Sequence, residues 1–152
     1  MMRLFLRTVK IIAALGVTVM LSSVGITLAQ SLNEDRIALD VPKPIQNEIK
    51  AAMRGILQVF ETMMDSLAED NYDNVEKSAL SAGLVEASQH PDVVLYMSTH
   101  HKEFILTGMA MHAQMDKIAR VARITRDKNA VLGEISTLFS HCNGCHSTLY
   151  FK

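Results

Sequence analysis

The chain has 152 residues, 15 basic and 16 acidic side chains, a formal net charge of −1, two cysteines and ten methionines. This balance lacks the strongly basic surface that a phosphate backbone demands, so nucleic acid is excluded as an expected partner. The length suits one compact domain with a real core once any leader is removed, not two.

The first element is such a leader. Arg3, Arg7 and Lys10 form a basic segment, Ile11 to Val24 is apolar and uncharged, and Thr27-Leu28-Ala29 offers the small-x-small pattern cut by signal peptidase. Residues 1–29 therefore read as a cleaved signal peptide, and residues 30–152 as one mature domain in the periplasm or an equivalent export space. The alternative is an uncleaved anchor, since a run of roughly 18 apolar residues approaches spanning length. Only then would the membrane be a partner. All 16 acidic residues follow Ala29 while three of the 15 basic ones precede it, so residues 30–152 carry a charge of −4 with histidines neutral.

From Gln30 the sequence reads as helix almost throughout, with no strand alternation. Ile45, Ile49, Met53, Ile56, Phe60, Met63 and Leu67 recur every three or four residues, one face of an amphipathic helix. Pro42 and Pro44 stand at its start, where a missing amide proton costs least. After the polar stretch "AEDNYD", Asp73 and Glu76 suggest a capping box for a second helix that turns Val75, Ala79 and Ala82 inward. "SQHPDVV" breaks the chain, and Pro91 suits the first turn of a third helix. That helix is predicted to be long: Val94, Met97, His101, Phe104, Gly108, Met111, Met115, Ile118 and Ala122 keep heptad-like spacing over about eight turns. After "TRDKN", a fourth helix places Leu132, Ile135, Phe139, Cys142, His146 and Leu149 on one stripe. Four amphipathic helices with short connections predict an all-α, up-down-up-down antiparallel four-helix bundle.

The fourth helix ends in "HCNGCH", His141 to His146, which holds both cysteines of the chain. On a helix Cys142 and Cys145 share a face, and His146 is about 100° round from Cys145. Two thiols so placed can add across the two vinyl groups of a haem while the adjacent imidazole reaches the iron, and C-x-x-C-H is the attachment signature of c-type cytochromes. Three plainer uses compete. A disulfide would close a very short loop and contribute little. A thioredoxin-like pair calls for a strand-helix context that the sequence lacks. Zinc held by His141, Cys142, Cys145 and His146 would crowd its ligands onto one helix, away from a tetrahedral arrangement.

"CNGCHSTLYFK" closing the last helix of a four-helix exported domain resembles the cytochrome c′ family, the class II c-type cytochromes, across the mature chain at the level of architecture. The resemblance implies one covalent haem c, with Cys142 and Cys145 as the thioether cysteines and His146 as proximal ligand. It also implies a homodimer built partly on the first helix. Three positions depart from the family pattern: Leu149 and Tyr150 stand where a tyrosine and a basic residue are common, and Ile49 where an arginine often precedes the distal residue by one turn.

In that family the distal position belongs to the first helix. A methionine there gives a six-coordinate electron carrier, and a leucine leaves a five-coordinate iron that binds nitric oxide or carbon monoxide. Up-down order places His146 level with the first half of helix one, where Met53 points inward; Met53 is thus the distal candidate, its plainer reading being core packing. Met63 and Met64 lie about 15 Å further along the axis and read as core filler. His101, on the inner stripe of helix three, is the alternative distal ligand, or else a core histidine with a hydrogen-bond partner. His112 reads as a partner for a buried polar group, His100 and His141 as surface residues, and His90 as part of the break before Pro91. No arginine accompanies an inward histidine, so a peroxidase is not indicated. Electron transfer to a redox partner protein is the expectation, and the protein is not an enzyme.

Overall fold

The computed structural model describes residues 36–152; the expected leader and its cleavage before Gln30 lie outside the described residues. The chain runs β1 (Ile37–Leu39), α1 (Lys43–Ala68), α2 (Tyr72–Leu80), α3 (Leu84–Ala87), α4 (Pro91–His100), α5 (Lys102–Thr125), α6 (Lys128–Thr148) and β2 (Leu149–Phe151). The class is all-α. It carries one feature that the helical periodicity did not announce, because β1 and β2 pair in parallel, Ile37 opposite Leu149 and Leu39 opposite Phe151. Among the described residues, no helix is long and apolar enough to cross a membrane.

The helix ends follow local chemistry. Pro42 caps α1 and Pro44 sits in its first turn, where neither removes an intrahelical bond. At the far end Asp70 takes a left-handed conformation with φ of 56°. The chain then leaves Asn71 in position to accept a hydrogen bond from the Asn74 amide at 3.1 Å. Asn71 is therefore the N-cap of α2, and the Asp73–Glu76 capping box does not form. Those carboxylates turn instead to Arg126, at 2.6 Å, and Arg123, at 3.7 Å. Asp127 caps α6 by accepting from the Ala130 amide at 2.7 Å.

The predicted long third helix is two helices. His101, with φ −140° and ψ 64°, ends α4 and caps α5. Met97 before the break and Phe104 and Ile105 after it pack on the same small apolar cluster, and further along α5 enters the larger one. His101 donates from Nε2 to the Asp40 carbonyl at 3.2 Å, and Tyr96 donates its hydroxyl to the same oxygen at 3.3 Å, so the break also anchors the exit from β1.

Neighbouring helices pack in the order α1 on α2, α2 on α5 and α5 on α6. The larger core lies among them. Met63, Val75, Ala79, Met115, Ile118, Ala122 and Val131 have no exposed surface, and full burial of a side chain the size of Met or Ile contributes roughly 1.5–3 kcal/mol. Ala79 on α2 and Ala119 and Ala122 on α5 are small residues in this core, with Ala82 in the turn after α2. A smaller cluster of Leu39, Val41, Ile49, Met97 and Leu149 closes the end where the strands meet. There the buried Gln46 donates to the Lys152 carbonyl at 3.0 Å, and the Lys152 amide donates to Leu39 at 3.2 Å. The C-terminal end of α6 is thereby held beside the start of α1.

Candidate functional site

The inward stripe of α6 keeps Ile135, Cys142 and Leu149 as predicted but has Val131, Leu138 and Cys145 in place of Leu132, Phe139 and His146. Val131, Ile135, Leu138 and Leu149 are buried, Cys142 and Cys145 are half-buried, and Leu132 and Phe139 are exposed. Starting from the Asp127 cap, the first residue able to face inward is Val131, and steps of four and three then lead through both cysteines to Leu149. His146 is not on this stripe. It is an exposed residue on the flank of the seam, one position past Cys145. The Thr148 hydroxyl donates to the Gly144 carbonyl at 2.8 Å, and the Leu149 amide bonds the Cys145 carbonyl, so the motif sits in ordered helical turns.

The two cysteines are free thiols, not joined by a disulfide. Burial pushes both thiols above the ordinary cysteine value, and Cys142 adds to the rise at Cys145. A redox-active C-x-x-C pair is tuned in the opposite direction, because its chemistry needs a thiolate. Among the described residues, no group of three or more His, Cys, Asp or Glu side chains converges in a way that could hold a metal ion by itself.

Cys145 packs against the smaller apolar cluster, and Met53, Val93, Phe104 and Ile105 pack against the same cluster from α1, α4 and α5. Those four, with Ile49, also line a cavity of about 680 Å³ among α1, α2, α3, α4 and α5. α6 contributes nothing to the lining, so these side chains stand between the thiols and the open space. The cavity explains a detail of α1: its stripe is buried at Ile49, Met63 and Leu67, yet Met53 and Ile56 between them, which line the space, are only half-buried. The space is open to solvent along part of its boundary, where the exposed Ala52, Gln58 and Glu86 form its edge, so it is a groove and not a sealed void. Water or a bound group can enter it.

Two glycines in helix interiors face this space. A Cβ built at Gly55 on α1 or at Gly108 on α5 would meet no atom within 4 Å, and both residues line the cavity. Each costs its helix about 1 kcal/mol relative to alanine. Chain packing does not require glycine at either position, in contrast to Gly83, where a Cβ would collide with the Asp116 carboxylate.

Of the residues expected at the site, Cys142 and Cys145 share one face, and Cys145 and Met53 meet the same apolar cluster. His101 does not join them: it is at the α4–α5 break, engaged with Asp40, and outside the cavity lining. His112 lines the cavity and its Nδ1 donates to the Ala82 carbonyl at 2.8 Å, the polar partnership expected of it. His90 pairs with Glu48 at 2.8 Å at the rim, each side chain more than a third exposed. His100 stacks on Tyr96 at the surface, with centroids 4.4 Å apart. Gly55, Phe104, Ile105 and Met109 were not singled out as site residues from the sequence; the signal that could have found them is the two mid-helix glycines. In comparisons with known proteins, no family model, no curated protein and no solved structure matches the chain.

Proposed function

We propose that this chain is an exported mono-haem c-type cytochrome of the cytochrome c′ kind, an electron carrier rather than an enzyme. On this reading α1, α2, α5 and α6 are the staves of an up-down-up-down antiparallel four-helix bundle. Cys142 and Cys145 form the thioethers, His146 is the proximal ligand and Met53 the distal one. The observation that carries the reading is the placement of the motif. Both thiols of C-x-x-C-H lie on the inward stripe of α6, and Cys145 shares an apolar cluster with Met53 beside a cavity of about 680 Å³. That volume falls within the roughly 300–1,000 Å³ range of small-molecule and cofactor sites.

Of the residues present, the thiol pair and Met53 suit the group. Because α6 does not line the cavity, a haem held by Cys142, Cys145 and His146 would have to displace the side chains that stand between them and that space. Each neutral thiol adds its S–H across a vinyl carbon–carbon double bond, so attachment releases no leaving group and needs no oxidant. Burial raises both thiols above the ordinary cysteine value and so favours the protonated form that adds. Gly55 and Gly108 leave room for a flat group close to two helix backbones. Ile49, Ile56, Phe104 and Ile105 exclude water from it, and Met53 offers a thioether from the α1 side. When bound, haem would supply a one-electron couple, whose potential methionine–histidine ligation raises. His101, committed to the Asp40 carbonyl, gains no support as a ligand from its position.

A second reading rests on the cavity itself. It continues past Met53 along Ile56, Val59 and Gly108, enough apolar room for a diatomic ligand if Met53 stays off the iron. That would make the protein a five-coordinate binder of nitric oxide or carbon monoxide. Absorption spectra of the exported protein in both oxidation states decide between the two, with haem staining after denaturing electrophoresis as the test of attachment. Cys142→Ser with Cys145→Ser should abolish the stain, and the mature mass should correspond to a chain starting at Gln30. Haem that extracts freely from the intact protein, or none at all, would defeat the proposal.

A further inference from the structure

The groove has a polar wall as well as an apolar one. Asn74, Lys77, Ser78 and Ser81 recur at helical spacing along one face of α2 and its C-cap and line the space, while α1 and α5 present Ile56, Val59, Gly108 and Met111 to it. Contacts to neighbouring helices fix where this wall stands. The Asn74 side-chain amide donates to the Ser66 hydroxyl near the end of α1 at 2.6 Å, and the Ala82 carbonyl accepts from His112 at 2.8 Å. Lys77 and Ser78 fall between those two levels, at the end of the groove away from Met53. The α1 lining runs from Glu48 to Thr62, about 21 Å at the usual helical rise, so the space is long.

Two groups on the polar wall have no partner. Among the described residues the Lys77 ammonium makes no ion pair or hydrogen bond, although Asp73, one turn earlier, has the spacing to reach it. That carboxylate is taken by Arg126 at 2.6 Å, and Glu76 by Arg123 at 3.7 Å. Ser78 is only 9% exposed, yet among the described residues its hydroxyl bonds nothing, whereas the Ser81 hydroxyl beside it donates to the Ser78 carbonyl at 2.7 Å. A nearly buried hydroxyl left in this way is unfavourable unless a ligand or water completes it. The carboxylates of the lining are elsewhere: Glu86 is on α3, and Glu48 pairs with His90 just before α4.

An uncommitted ammonium and an uncommitted hydroxyl at one end of a long apolar groove match a carboxylate on an unbranched alkyl chain. We propose that this half of the groove binds a free fatty acid, its carboxylate on Lys77 and Ser78 and its chain laid along Val59 and Ile56 toward Gly108. Methionines at 109 and 111 give that wall the adaptability an alkyl chain needs. The inference does not rest on the haem reading, since none of these residues belongs to C-x-x-C-H, and haem would take the Met53 end.

The test is isothermal titration calorimetry of the exported wild-type protein, and of its Cys142→Ser/Cys145→Ser form, with decanoate and with decyltrimethylammonium. Both proteins should bind decanoate in preference to the cation. The charge of −4 on residues 30–152 favours the cation, so preference for the acid can come only from the site. Octanoate, two methylenes shorter, should bind on the order of tenfold more weakly. Lys77→Gln, at an exposed position, should weaken decanoate about fivefold and leave the cation unaffected. A wild type that binds neither probe, or the cation as tightly as the acid, would overturn the proposal without any variant. So would an unchanged decanoate affinity in a Lys77→Gln protein of native circular dichroism. Binding by the thiol-free form alone would show that attached haem fills the whole groove, which overturns the separate acid site and leaves the haem reading standing. Decanoate binding by a wild type that carries no haem would do the reverse.

Discussion

Gly108 offers the sharpest test of whether the cavity is built to hold something. In the Cys142→Ser/Cys145→Ser protein, which cannot attach haem, Gly108→Ala adds a methyl group into space with no atom within 4 Å, so the substitution meets no clash. Helix propensity then dominates, and the variant should gain about 1 kcal/mol. For a domain of this size that raises Tm by roughly 4 °C, which differential scanning calorimetry resolves easily. Gly55→Ala should behave alike, while Gly83→Ala should lose stability, because its Cβ would strike the Asp116 carboxylate that accepts from the Leu84 amide. In the haem-loaded protein the order reverses for larger groups: Gly108→Leu fills the slot, and attached haem should decline or its Soret band shift. Gly133→Leu, on the exposed face of α6, is the matched control. If Gly108→Ala lowers the Tm of the cysteine-free protein, the position is not open. If Gly108→Leu carries haem with an unchanged spectrum, the cavity is not where the group lies.

Two further outcomes are expected. Met53→Leu conserves volume and should cost under about 1.5 kcal/mol, leave haem attached, and remove the near-infrared sulfur-to-iron band of a low-spin ferric protein; a wild type already high-spin would refute Met53 as ligand and favour gas binding. Glu134 accepts from the Gln114 amide at 2.9 Å and pairs with Lys117 at 3.0 Å, which hold its carboxyl below the ordinary carboxylate value. Because the folded-state value is the lower one, the contribution is fully present above the ordinary carboxylate pKa and is lost as pH falls through the depressed value. Glu134→Gln should therefore cost about 1 kcal/mol at neutral pH and nothing in strong acid, as read from urea unfolding across that range; a constant difference at every pH would refute the linkage.

Helical class and the seam of α1 were legible because period 3.6 is written along the sequence without interruption. The α4–α5 break was not, since neither proline nor glycine marks it. The Asp40 carbonyl bonds the His101 ring where the chain leaves helical geometry, a long-range contact that the local sequence does not announce. The α6 stripe was legible at Ile135, Cys142 and Leu149 and missed by one residue at the three positions that alternate with them, for a related reason. Leu132 and Phe139 look more like core than Val131 and Leu138 do, but the Asp127 cap sets the phase, and Phe139 finds Phe60 edge-on at 4.9 Å near the surface instead. β1 and β2 are three residues each, too short for alternation to register, and they exist because the two chain segments are brought side by side. The cysteine pair was readable from spacing alone. The cavity was not, since a hole leaves no residue of its own in a sequence beyond glycines where alanine would serve better.

The contrast between the cavity wall and the motif bears on why attachment would be covalent. The wall is mainly apolar, and its charged groups, Glu48 with His90 among them, are at the rim. Apolar burial is strong but non-directional, so such a wall can retain a flat group without fixing its rotation or depth. On the haem reading direction would come from bonds, from the thiols and imidazole on the last turns of α6, which lies outside the cavity lining, and from a thioether on α1. The β1–β2 pair and the Gln46 bond tie those two helix ends together. On the haem reading this strap sets the separation between proximal and distal ligands. Gln46→Ala should then loosen Met53 ligation and weaken the sulfur-to-iron band while the thioethers keep the haem attached. An unaltered band in a folded Gln46→Ala protein would show that the strap serves stability alone.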